Sequence, residues 1–140
     1  MKLTVLAVGR LKERHYVEAC QDYANRVRRY LPCDLLEVRS EGELLKRCPP
    51  RAERWLLDQR GRELSTEELA AAIGRRMASG SAGIAFLIGG AEGVPEPVRQ
   101  GAQMVLALSR LTLAHRLARL VLLEQLYRVM TILRGEPYHR

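Results

Sequence analysis

Short apolar runs alternate with helix-patterned segments about five times along this chain, and that alternation limits the fold more than any other feature. Residues 3–8, LTVLAV, form a run rich in β-branched side chains and closed by Gly9, which predicts a buried strand. Over residues 12–30 apolar positions recur at Tyr16, Cys20, Tyr23, Ala24 and Val27, the spacing of an amphipathic helix, and Pro32 stops it. Leu35, Leu36 and Val38 predict a second strand. Residues 40–53, with their two prolines, leave room for a turn of helix and a loop. Trp55, Leu56 and Leu57 predict a third strand closed by a turn at DQRG. Ser65 and Glu68 have the spacing of a capping box and open a helix that runs through Met77. GIAFLIGG at 83–90 predicts a fourth strand, a Pro-marked helix covers about 95–103, VLALS at 105–109 is a fifth strand, and the longest helix covers 116–134. Such alternation implies an α/β fold with a mostly parallel sheet covered on both faces, in a single domain spanning residues 1–140.

The last helix is too apolar for an ordinary surface helix. Leu117, Leu120, Val121, Leu122, Leu123, Leu126, Val129, Met130, Ile132 and Leu133 cover more than one of its faces. A helix of that kind is buried on two sides. Either a second copy of the chain covers the second side, giving a homodimer, or the helix lies centrally in the domain core; the first is the expectation.

Charge bears on partners. The net charge is +7, and residues 71–140 hold nine basic and four acidic residues against 14 and 12 in residues 1–70. A basic half points to a polyanion, RNA foremost. No apolar run is long enough to span a membrane, and the opening MKLTVLAVGR reads as a strand and not as a signal peptide. Cys20, Cys33 and Cys48 are odd in number and lack CxxC spacing, which argues against disulfides or zinc and fits a reducing cytoplasm.

In an open parallel sheet ligands bind beyond the carboxyl ends of the strands. Three segments fall there: 57–61, the GGAEG turn at 89–93, and SRLTLAH at 109–115. The glycines follow the fourth strand, and Leu113 stands where a dinucleotide site needs an acid, so a dinucleotide fold is not indicated. There is no GK[ST] for a P-loop, no G-x-S-x-G around Ser109, and no ligand spacing among His15, His115 and His139. What remains is a pocket of backbone and small apolar residues, suited to a flat neutral ring such as adenine. By itself it is a small-molecule site of unassigned ligand.

Four segments together, MKLTVLAVGRLKE, FLIGGAEG, LSRLTLAHRLARLVLLEQLYR and GEPYHR, carry a resemblance over essentially the whole chain. It resembles the bacterial pseudouridine-N3 methyltransferases of 23S ribosomal RNA, small members of the SPOUT class. The resemblance implies a parallel-sheet SPOUT fold with a C-terminal trefoil knot, a homodimer, S-adenosyl-L-methionine as cofactor and 23S rRNA within the ribosome as partner, with no metal and no membrane. It implies a cofactor pocket at Leu57, Gly89, Leu108, Ser109, Arg110, Leu111, Thr112 and Leu113. A catalytically silent RNA-binding or ribosome-associated factor, or a methyltransferase of this class acting on another RNA, are the alternatives. Two departures stand out: Ala114 replaces the proline of the family's TLPH, loosening that loop, and the 40–53 segment looks shorter than in relatives, leaving its helix open.

For the acceptor side the expectation falls on Tyr138, His139 and Arg140. Residues at such positions are usually expendable, so a Tyr-His-Arg triplet there reads as functional once the resemblance is granted. Tyr138 would stack on the base, Arg140 would hold a phosphate or the base, and His139 would orient or deprotonate N3, reaching a cofactor site in the partner subunit. His115 is the other candidate base, and Glu92 the candidate acid for substrate binding or proton acceptance. Arg119, Glu124 and Arg128 recur at helical spacing and are expected to pair along their helix.

Overall fold

The computed structural model describes residues 1–91 and 93–140. Ten elements alternate in chain order. They are β1 (Lys2–Val8), α1 (Arg14–Val27), β2 (Cys33–Val38), α2 (Gly42–Arg47), β3 (Glu53–Glu63), α3 (Thr66–Ala78), β4 (Gly83–Ile88), α4 (Glu96–Gln100), β5 (Met104–Ala107) and α5 (His115–Leu133). The sheet has the order β2-β1-β4-β3-β5, and every pairing is parallel. The expected α/β architecture is therefore present, with the strands' carboxyl ends along one edge.

Successive residues of a strand face opposite sides, and two cores follow from that. Leu3, Val5, Trp55, Ile84, Phe86 and Ile88 point to the face covered by α1, α3 and α5. Leu6, Val8, Leu56, Ala85 and Leu87 point to the face covered by the shorter α2 and α4. Each completely buried leucine or isoleucine contributes about 1.5–3 kcal/mol, so β1 and β4, apolar on both faces, hold the centre. Trp55 packs edge-on to Phe86 at 5.5 Å and spends its indole N–H on Glu53 Oε1 at 3.2 Å.

Helix termini obey the sequence signals. Ser65 accepts from the Glu68 N–H at 3.0 Å while the Glu68 carboxylate accepts from the Ser65 N–H at 2.8 Å, the reciprocal box that starts α3. Residues 40–53 keep a helix, α2, which places Leu44 in the second core. α5 buries Leu122, Leu123, Leu126, Val129 and Met130 against α1, α3 and the sheet, and its apolar Leu117, Leu120, Val121 and Tyr127 remain only half-buried.

One expectation is corrected. DQRG does not turn out of the third strand; β3 continues through it to Glu63. Its pairing with β5 breaks after Leu57↔Leu106 and resumes at Arg62↔Leu106. At the rejoining point a Cβ on Gly61 would lie 2.6 Å from the Val105 carbonyl oxygen, so only glycine lets the two backbones meet.

Candidate active site

The carboxyl ends of β3, β4 and β5 deliver Leu57, Ile88 and Leu106 to the base of a pocket of about 160 Å³. The segment after β5 folds over it and supplies Leu108, Ser109, Leu111, Thr112 and Leu113, while His115 and Ala118 at the start of α5 close a side. The loop is shaped locally: Ser109 Oγ accepts from the Leu111 N–H at 2.9 Å, a serine turn that brings residues 109–111 round. It is tied to the β3 extension by a hydrogen bond from Gln59 Nε2 to Thr112 Oγ1. Gly89 lines the pocket at the end of β4; a Cβ there would meet Val94 Cγ2 at 2.6 Å, so the bare backbone lets the following turn fold close.

The structure thus gathers seven of the eight expected pocket residues on one concavity: Leu57, Gly89, Leu108, Ser109, Leu111, Thr112 and Leu113. Arg110 is not among its walls; its side chain points to solvent, 3.9 Å from Glu63. Asp58 and Gln59 also line the pocket; they fall in the expected 57–61 segment but were not among the pocket residues named individually. Burial pushes the Asp58 carboxyl up, but the Arg60 N–H and the Arg99 guanidinium outweigh it and hold it below the usual carboxylate range. His115 is lowered as well: desolvation first, then the charge of Arg119, favour its neutral imidazole.

Residues 138–140 lie elsewhere. Gly135, at φ +68, ends α5 in a left-handed cap, with the Glu136 N–H returning to the Thr131 carbonyl at 2.8 Å. The chain then folds back along α5. Tyr138 donates to Glu124 Oε2 at 2.8 Å, stacks edge-on against Tyr127 at 4.6 Å and lies under Arg128. Burial, first, and its hydrogen-bonded neighbours raise the Tyr138 pKa, so the phenol stays protonated. His139 Nδ1 faces Arg128 NH1 at 3.2 Å. A guanidinium only donates, so Nδ1 accepts and the proton sits on Nε2, which faces Glu67 Oε1 at 3.4 Å. Arg140 is exposed. Glu124 is six residues from Ala118, the nearest pocket residue on α5, so the tail's anchor is about 9 Å along the helix from the pocket. Glu92 falls outside the described residues.

Of the three charges expected to pair along α5, Glu124 and Arg128 do so at 2.7 Å. Arg119 does not join them. It is buried and reaches Glu37, Val8 and Gly9 instead.

The fold is a parallel α/β sheet with a concavity at its strand ends, built by a glycine turn and a folded-over loop. The family model described as "Predicted SPOUT methyltransferase" matches residues 1–139, and the chain belongs to that family. It is 51% identical over its whole length to a ribosomal RNA large subunit methyltransferase H of Thermus thermophilus, 99% of which is covered. It is 46% identical to the protein of the same name from Sorangium cellulosum, over 99% of both chains, and 46% identical to that of an Anaeromyxobacter species, over the whole of both.

Proposed function

We propose that the chain methylates N3 of a pseudouridine in 23S ribosomal RNA, on the assembled ribosome in the cytoplasm, using S-adenosyl-L-methionine and working as a homodimer. The relatives' shared name supports the RNA substrate. The pocket's chemistry fits the adenine end of that cofactor: Leu57, Ile88, Leu106 and Leu108 offer apolar walls to a flat ring, and the 109–113 backbone offers polar groups. The volume is below the roughly 300 Å³ at which ligand clefts usually begin, so the exposed loop residues Leu111 and Thr112 are the ones to yield on binding. When bound, S-adenosylmethionine supplies a methyl group already activated by its sulfonium.

The protein's work is then positioning and removal of one proton. Neutral His115, at the pocket's edge, takes the N3 proton as the N3–methyl bond forms. His139 has its acceptor nitrogen engaged by Arg128 and therefore orients the base, with Tyr138 and Arg140, and does not deprotonate it. The observation that supports the shared-site reading is the tail anchored along α5 and not in the pocket walls, about 9 Å from the nearest pocket residue, so that it can face the pocket of a second chain. The half-buried apolar residues of α5 supply the contact between copies. The knot that the resemblance implies belongs to the same reading.

Mixing tests it. A chain lacking residues 138–140 is combined with a chain whose Gly89 is replaced by valine, and methyl transfer to unmodified ribosomes is followed. Heterodimers regain one working site if tail and pocket come from different subunits. No recovery places the tail at its own pocket, and mass spectrometry of ribosomal RNA showing no N3-methylpseudouridine in the product removes the proposed reaction.

A further inference from the structure

The base of the methyl-transfer pocket is apolar and level. Leu57 pairs with Ile88 on one side and with Leu106 on the other, so three neighbouring strands end on it in register. Asp58 follows Leu57 on β3, a rise of about 3.3 Å along the strand. Among the described residues lining the pocket it is the only carboxylate. Its side chain is 15% exposed. Burial opposes its charge, but the Arg60 N–H and the Arg99 guanidinium outweigh burial and keep the carboxyl ionised. Oδ1 accepts from the Arg60 N–H at 2.8 Å, and Oδ2 accepts from Arg99 NH2, which reaches it from α4. An ionised carboxylate has about four acceptor positions, so about two are left where Asp58 borders the pocket. Its neighbour Gln59 has spent its amide N–H on Thr112.

An ionised carboxylate accepts and does not donate, so the ligand group it can recognise is a donor. S-adenosyl-L-methionine has three: the adenine amine, the pair of ribose hydroxyls and the α-ammonium. Two observations separate them. Arg99 shares the carboxylate, so the Asp58–Arg99 pair is neutral as a whole and offers little net attraction to an ammonium or a sulfonium. That favours a neutral donor. The second observation is the position of Asp58 one residue beyond the apolar base. A ring seated on Leu57, Ile88 and Leu106 has its sugar at the next level out, where the carboxylate stands. A carboxylate with two unused acceptor positions suits a vicinal diol, the same chemistry by which an acid at a strand end holds ribose in other parallel sheets.

We propose that Asp58 binds the cofactor's ribose, accepting from its 2′- and 3′-hydroxyls, and that Arg99 is the positioning residue that fixes the carboxylate's direction and cancels its charge. The assignment rests on the S-adenosylmethionine reading of the pocket and names the sugar contact within it.

The probes are S-adenosyl-L-methionine, S-adenosyl-L-homocysteine and the 2′,3′-dideoxy form of the latter, titrated by calorimetry into the full-length protein without RNA. The natural chain should bind the dideoxy compound about 10- to 100-fold more weakly than its ribose parent, the range for a lost hydrogen bond to a charged group. Asp58→Ala should remove that preference, leaving the two affinities within about twofold of each other. Asp58→Asn, which keeps the side chain's shape, should narrow the preference and weaken S-adenosyl-L-methionine and S-adenosyl-L-homocysteine by the same factor. If Asp58 serves only to hold Arg99 and the Arg60 turn, both substitutions lower the ribose and dideoxy affinities together and the ratio stays as it was; that result overturns the proposal. Equal binding of the two compounds by the natural chain overturns it without any variant. An Asp58→Asn loss confined to S-adenosyl-L-methionine also overturns it, because the contact would then be to the sulfonium. Tight binding of S-adenosyl-L-methionine with no ribose preference sinks the sugar contact alone, whereas a natural chain that binds none of the three sinks the cofactor reading and the proposal with it.

Discussion

Removing residues 138–140 should leave the fold almost as stable as before and cut methyl transfer at least 100-fold. The structure allows both halves to be weighed. The Tyr138 hydroxyl on the Glu124 carboxylate contributes about 1.5–3 kcal/mol. The edge-on stack with Tyr127 and the Arg128 guanidinium over the ring add about 0.5–1.5 and 0.5–1 kcal/mol. The gross gain is about 2.5–5.5 kcal/mol. Against it, fixing three backbones costs about 1–2 kcal/mol each, with side-chain ordering on top. The two sides nearly cancel, so calorimetry should find the melting temperature within about 4 °C of the intact chain. Cofactor affinity should be unchanged, because none of the three residues lines the pocket. The rate should fall by about 10² or more, because misplacing a reacting group by about 1 Å already costs roughly that much. Methyl transfer to unmodified ribosomes at the full rate would refute the role given to the tail. A melting temperature lowered by more than about 8 °C would show that the tail is a structural strap.

Three further outcomes are expected. Ala114 sits at φ −57 and ψ 140 before α5, angles that proline adopts unstrained, so Ala114→Pro should stabilise the chain by about 0.4–1 kcal/mol, read as a raised melting temperature; a fall would mean that the loop needs the freedom alanine gives it. Gly89→Val should abolish cofactor binding in calorimetry by driving Val94 and its turn away from the end of β4, and unchanged affinity in the folded variant would take Gly89 out of the site. Burial raises the Glu124 pKa, but hydrogen bonds from Arg128 and Tyr138 outweigh it and leave the group below its ordinary 4.5; its contribution is therefore complete above pH 4.5 and lost as pH falls through the lower folded value. The difference in melting temperature between the natural chain and Glu124→Gln should close across that window, and a difference that persists at pH 2 would mean the carboxylate's charge is not what holds the tail.

How far the sequence carried the structure depended on whether a residue's partner was local. β1 and β4 were legible because, after Lys2 and Gly83, every side chain in them is apolar or β-branched, and α3 because its capping box is written within four residues. The far half of β3 was not, since Asp58–Gln59–Arg60 show no apolar period, and only after them does the strand rejoin β5 at Arg62 and Glu63, through partners 44 residues later. The pocket was readable as segments at strand ends, and the resemblance then named most of its residues. Arg119 was misread because helical spacing shows only what lies on the same helix, while its true partners, Glu37, Val8 and Gly9, lie 82 to 111 residues away. The anchoring of Tyr138 and His139 on Glu124, Arg128 and Glu67 was invisible for the same reason.

The strand order has a consequence during synthesis. β1 lies inside the sheet, yet one of its two neighbours, β4, begins 81 positions later, where Lys2 pairs with Gly83. At about 5–20 residues per second a growing chain waits roughly 4–16 s for that neighbour. Until then β1 can pair only with β2, and its other edge, apolar on both faces after Lys2, lies open to any strand nearby. An element that ends buried from Leu3 onward is, in the nascent chain, an open strand edge that a chaperone has reason to cover.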